Sequence, residues 1–177
     1  MQRCVLMSIR AEIARTIFEK WTKRLEYRKR FGDFRGTVYV YASGAGGGHI
    51  VGAFTVNDVI RAERYKALTP KEWDILDIIR IKDNDKFNKF FAVKANTDKI
   101  NALFIENPRR LVKPLTLEEF GKATGAAIVC APQSWQYITV QDGYVPESVE
   151  VAPAYGSSDF SVFDDPTDEF LKEHKDE

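Results

Sequence analysis

The chain reads as an α+β domain: a small, mixed β-barrel of about six strands with flanking helices. Three observations lead there. Short runs of β-branched and aromatic residues recur along the chain, as in Val38-Tyr39-Val40-Tyr41. The helical patterns between them are brief and irregularly placed, which argues against a doubly wound parallel sheet, where strands alternate with long helices. At 177 residues and 44% hydrophobic content, the chain can build one domain with a real core.

Taken in order, Cys4-Val5-Leu6-Met7-Ser8 is a short buried strand. Residues 11–20 then place Ile13 with Ile17, and Ala14 with Phe18, four apart, which is the stripe of a helix facing a core. Trp21 and Thr22 lead into residues 23–30, where six of eight side chains are charged and five of those are basic. This stretch alternates like a strand, with Leu25 and Tyr27 on one face and Arg24, Glu26 and Arg28 lining the other. Residues 31–36 are a turn, and residues 37–42 are a strand.

Residues 43–49 form a Gly-rich loop. It lacks the Gly-Lys-Ser/Thr ending of a phosphate-binding P-loop, and a strand follows it where a P-loop has a helix. Residues 49–60 read as one long strand bent near Gly52. Thr69, Pro70 and Glu72 open a helix to about Ile79, and a second helix spans about 85–92 with Phe87, Phe90 and Phe91 on one face. A strand over 100–106 is interrupted by Asn107-Pro108-Arg109-Arg110 and resumes at 111–115. Thr116 and Glu119 make a capping box for a one-turn helix that stops at Gly121. Residues 125–131 are small and apolar, and the closing strand is 137–140. Residues 145–161 show no periodicity, and residues 167–172 can form a last short helix.

Charge is unevenly placed. Residues 141–177 hold eleven acids and two bases, a net −9, so the preceding 140 residues carry +9. A basic body with an acidic end accompanies nucleic-acid binding, and the end is either a solvating tail or a competitor for the basic surface. Cys4 and Cys130 lie in apolar strings and read as buried small hydrophobes. The two histidines are far apart, so a His/Cys metal site is not expected, and no cofactor is implied. With no apolar run of about 18 residues and no secretory pattern, the expectation is a soluble, cytoplasmic protein without a membrane partner. The oligomeric state is not legible.

The basic stretch is the candidate site. A charged strand anchored by its own alternate residues can hold a phosphate-bearing ligand. The plain alternative is an edge strand kept charged against aggregation.

Several separated pieces resemble the ASCH family of the PUA-like superfamily. Leu6-Met7-Ser8-Ile9, followed by Lys23-x-x-Glu26-Tyr27-Arg28, is similar to the family's Ser-Ile and Lys-x-x-Glu-Phe/Tyr-Arg pattern. Val38 to Ser43 followed by Ile50 to Phe54, then Val112-Lys113-Pro114-Leu115, then Ala131-Pro132-Gln133-Ser134-Trp135 fall in the family's order. The resemblance covers residues 4–140 and implies an ASCH/PUA-like domain over 1–140, with 141–177 as an acidic extension. It implies a cleft for RNA or a modified nucleoside, with Lys23, Glu26 and Arg28 in it and Gln133 and Ser134 at its rim.

Three functional readings follow, one of them a protein-interaction or regulatory module with the acidic end as its contact. In the first, a binding module, Lys23, Arg24, Arg28, Lys29 and Arg30 neutralise phosphates. Trp21, Tyr27 or Trp135 stacks bases, and Ser43, Gln133 and Ser134 line the site, with Gln133 reading a base edge. In the second, a hydrolase, Glu26 activates water between the cations Lys23 and Arg28. One branch of the family resembles an N4-acetylcytidine amidohydrolase with a Thr nucleophile; the matching position here holds Glu26, which cannot replace a hydroxyl nucleophile. Some family members are nucleases, so an RNA phosphodiester is the other substrate class.

Overall fold

The computed structural model describes residues 1–21, 23–61, 101–144 and 146–152. The helices expected over 69–79, 85–92 and 167–172 lie outside these. Within them the fold is a mostly-sheet α+β arrangement. Nine strands are β1 (Gln2–Arg10), β2 (Leu25–Arg28), β3 (Gly36–Ser43), β4 (His49–Val56), β5 (Val59–Arg61), β6 (Asn101–Phe104), β7 (Glu106–Leu115), β8 (Trp135–Val140) and β9 (Ser148–Glu150). Two helices are α1 (Ala11–Phe18) and α2 (Leu117–Thr124).

The strands form two open sheets, of order β8-β1-β3-β4-β7-β9 and β2-β6-β5. This corrects the expected barrel: the end strands β8 and β9 do not pair, so the large sheet does not close. Among the described strands only β1 and β3 run parallel, with Val5 opposite Val38 and Ser8 opposite Tyr41. A parallel pair needs a crossover, and α1 and β2 lie within it.

Strand β1 is longer than its apolar core of five residues, and both its faces are covered. Val5, Met7 and Ile9 join the main core with Val38, Val40, Phe54 and the α1 stripe. Cys4 and Leu6 point into a second cluster with Tyr39, Ile50 and Phe120 of α2. Burial on both faces explains why the strand reads as a continuous apolar run. Helix α1 buries Ile13, Ala14, Ile17 and Phe18, the stripe its spacing predicts. Each large side chain of that stripe contributes about 1.5–3 kcal/mol on leaving water.

Four other expectations shift. The long strand over 49–60 is two strands split at Asn57-Asp58, and the irregularity near Gly52 is a register shift between Ile50 and Gly52. Asn107-Pro108 does not interrupt a strand; the break falls at Ile105, and β7 runs through both residues. Asn107 takes a φ of 46°, and the pairing of Ala53 with Arg109 and Thr55 with Glu106 places one extra residue of β7 in a bulge. A proline without an amide donor is tolerated there. Helix α2 passes Gly121 and ends about one turn on, at Thr124, capped by Gly125, whose φ is 73°. Cys130 is exposed, whereas Cys4 is buried.

Beyond Val140, Ser148–Glu150 pairs with β7 through Arg109 opposite Glu150, within the stretch where the sequence shows no periodicity. No helix among the described residues is long and apolar enough to cross a membrane.

Candidate nucleic-acid interface

The Lys23 to Arg30 stretch sits differently from its alternation pattern. Strand β2 covers only Leu25–Arg28 and pairs with β6, Glu26 facing Leu103. Leu25 and Tyr27 are buried as expected. Glu26 is buried too, at 6% exposure, and so is Lys23, at 3%. Neither lines a surface. A buried charge is tolerated only when paired and hydrogen-bonded. Both Glu26 oxygens meet a cation: Oε1 takes Arg28 Nη2 at 2.8 Å, and Oε2 lies 3.6 Å from Lys23 Nζ. The charges satisfy one another, so the polar face of β2 can be covered as well as the apolar one.

Arg28 links this pair to the large sheet. Its Nη2 also donates to the Ser8 carbonyl at 2.8 Å, and its Nη1 reaches the Ser134 hydroxyl at 3.4 Å. Its Nε has no hydrogen-bond partner among the described residues. Ser8 holds the neighbouring segment in turn, its hydroxyl donating to the Pro132 carbonyl at 2.5 Å and its amide to the Ser134 carbonyl at 2.9 Å. Trp135 then donates its indole N–H to the Arg30 carbonyl at 2.7 Å. Residues 28–30 and 133–135, more than a hundred positions apart, are thus stitched together.

On the outside of this seam Lys29, Arg30, Gln133 and Ser134 are exposed, and Trp135 is half-buried. The Trp135 ring contacts Phe31 and Tyr137, each at 5.1 Å between centroids, and Arg3 stacks on Tyr137 at 3.6 Å. Trp21 packs against the main core with the Arg24 guanidinium 4.3 Å over its ring, and Tyr27 is buried beneath Lys23 Nζ at 5.5 Å. Tyr27 is thus covered, while Trp21, like Trp135, is half-buried, with Arg24 over its ring. Ser43 lies at the end of β3 opposite Arg10, and the described contacts do not bring it to the seam.

The sequence reading did not single out Ser8, Phe31, Tyr137 or Arg3 for the site. Ser8 offers two weak signals, a hydroxyl at the end of an apolar run and its place in the Ser8-Ile9 step. The contacts of Arg3 and Tyr137 depend on the antiparallel pairing of β1 with β8, which no local pattern announces.

Fold and seam together define a two-sheet α+β domain with a buried carboxylate held between two cations. No protein-family model matches the chain, and no curated protein matches it. Solved structures of ASCH proteins from Zymomonas mobilis are similar. ASCH itself superposes with a TM-score of 0.45 at 16% identity, over 76% of this chain and 86% of that one. A tyrosine-to-phenylalanine mutant of ZmASCH gives 0.48 at 14% identity, over 77% and 90%. A serine-to-alanine mutant gives 0.47 at 16%, over 76% and 87%.

Proposed function

We propose that the chain binds RNA or a modified nucleoside along the seam between residues 28–30 and 133–135. The observation that carries this reading is the pair of hydrogen bonds from Arg28 to Ser134 and from Trp135 to Arg30. They bring exposed cations, an amide side chain and an aromatic ring to one surface. Lys29 and Arg30 contact phosphates, Gln133 reads a base edge, and Trp135 offers a stacking face. Lys23 and Glu26 are too buried to meet a phosphate backbone; their role is to hold the Arg28 fork in place.

One observation favours the hydrolase as a second reading. Glu26, with its two cations, lies one guanidinium away from the Ser134 hydroxyl. Buried, charge-paired carboxylates cluster at reactive sites as well as in structural networks.

End-labelled single-stranded RNA, duplex RNA and single-stranded DNA, incubated with the chain at two salt concentrations, test both readings. A native gel reports binding and a denaturing gel of the same samples reports cleavage. Binding that weakens with salt, with a slope reduced by roughly 0.7 for each phosphate contact removed in Lys29→Ala and Arg30→Ala, supports the binding module. Cleavage lost in Glu26→Gln replaces that reading with the hydrolase. Intact, unbound RNA at both salts rejects RNA as the ligand for either.

A further inference from the structure

A second concavity lies away from the seam, between α1 and β7, with a volume of about 360 Å³. That is within the range of small-ligand sites. Its floor is apolar, built from Ala11, Ala14 and Phe18 of α1 with Ala42, Val51 and Leu111 from the sheet. Arg15 and Arg110 stand at its rim and both are exposed.

The neighbouring cations are compensated. Arg10 pairs with Glu12, Arg109 with Glu150, and Lys113 with Glu119. Among the described residues, Arg15 and Arg110 meet no carboxylate. Two uncompensated guanidinia over one apolar floor favour an occupant with an anionic end and an apolar body.

The Gly-rich loop forms the wall beside Arg15. A Cβ on Gly46 would lie 3.4 Å from Arg15 Nη2, so the guanidinium rests against the bare backbone there. Two of the loop's amides are occupied: Gly47 N–H donates to Gly44 and Gly48 N–H to Ala42. The arginines supply the positive charge for an anion held here. Glu19 also lines the groove, so its described lining carries a net single positive charge; the Glu19 carboxylate can accept from a hydroxyl or an exocyclic amine.

We propose that this groove binds a nucleoside monophosphate unit, with the base on the apolar floor, the phosphate on Arg15 and Arg110, and a donor of the nucleoside on Glu19. The choice of a nucleotide over another apolar anion rests on the nucleic-acid reading above.

The test is a titration of the full ¹⁵N-labelled chain with AMP, CMP, GMP and UMP, with adenosine and inorganic phosphate as partial ligands. Saturable shifts are expected at amides of 11–19, 44–48 and 110–114. A monophosphate should bind at least tenfold more tightly than adenosine or phosphate alone. The Arg15→Ala/Arg110→Ala double variant, which removes only exposed side chains, should lose tenfold or more. Shifts confined to 28–30 and 133–135, no shifts at all, adenosine or phosphate binding as tightly as the monophosphate, or an unaffected double variant overturns the proposal. Single-stranded RNA bound by a chain whose groove stays silent rejects this inference alone. A responsive groove in a chain that ignores RNA rejects the earlier reading alone.

Discussion

The Arg28 guanidinium closes on the Ser8 carbonyl at 2.8 Å, and that bond ties the edge strand of the small sheet to a strand of the large one. The same nitrogen holds Glu26, so the contact between sheets and the buried ion pair share one donor group. The cluster is therefore structural, and substitutions in it act first on the fold.

Glu26→Ala takes the carboxylate from the buried Lys23 and the partly buried Arg28. Removing one partner of a buried pair costs about 3–5 kcal/mol, so the urea midpoint should fall steeply. Glu26→Gln keeps an acceptor for Arg28 and should lose less. A loss below about 1 kcal/mol in Glu26→Ala, the size of an exposed pair, would mean that water reaches the site.

Gly52→Ala tests how α1 seats on the large sheet. An added Cβ would lie 2.5 Å from the Phe18 ring and 2.7 Å from the Arg109 carbonyl oxygen. The ring can tilt, but the carbonyl belongs to the β4–β7 ladder and cannot move without breaking pairing. Overpacking of this kind costs about 1–3 kcal/mol, read as a lower denaturation midpoint at unchanged slope. An unmoved midpoint would show that the bulge beside Gly52 absorbs the methyl group.

The helix stripe Ile13, Ala14, Ile17, Phe18 and the Thr116/Glu119 capping box were legible because both depend on neighbours three or four residues away. The partition into two open sheets was not, because it depends on which distant strands pair. Alternation misjudged β2 for a different reason. It assumes that a polar face looks at water, whereas Glu26 pairs with both Lys23 and Arg28, which allows that face to be covered. At the site, chain order brought Gln133, Ser134 and Trp135 into consideration. What the sequence lacked was the seam itself, since the Trp135 to Arg30 bond spans 105 positions.

The two thiols should react very differently. Cys4 is fully buried, and burial pushes its pKa up to about 11, whereas Cys130 is exposed. The thiolate is the reactive form, so Cys4 is protected both by access and by protonation. A thiol-reactive dye should label one cysteine per native chain near neutral pH and two in denaturant, with the native label mapped to Cys130. Because the folded pKa of Cys4 lies above the unfolded one, its stabilising contribution is complete below the ordinary thiol range and declines as pH rises through it. Two labels in the native chain would contradict the packing of β1.

The capping box of α2 should show its carboxylate in acid. The Glu119 side chain accepts the Thr116 amide at 2.9 Å and lies 3.3 Å from Lys113 Nζ. The bond from the Thr116 backbone, followed by the one from Lys113, holds the Glu119 carboxyl below the ordinary glutamate value. A folded pKa below the unfolded one stabilises above the unfolded pKa, and the effect is lost as pH falls through the folded value. Wild type should therefore be more stable than Glu119→Gln at neutral pH, with the gap narrowing as pH falls through the usual carboxylate range and below it toward pH 3. The reciprocal bond behaves otherwise. Thr116 Oγ1 accepts the Glu119 amide at 3.1 Å, and neither group titrates in this range. Thr116→Ala should thus cost about 1 kcal/mol through loss of the N-cap, in acid and at neutrality alike. Urea midpoints of the three proteins at both pH values separate the two halves of the box. A Glu119→Gln gap that persists unchanged at pH 3 would show that the carboxylate's charge contributes nothing there.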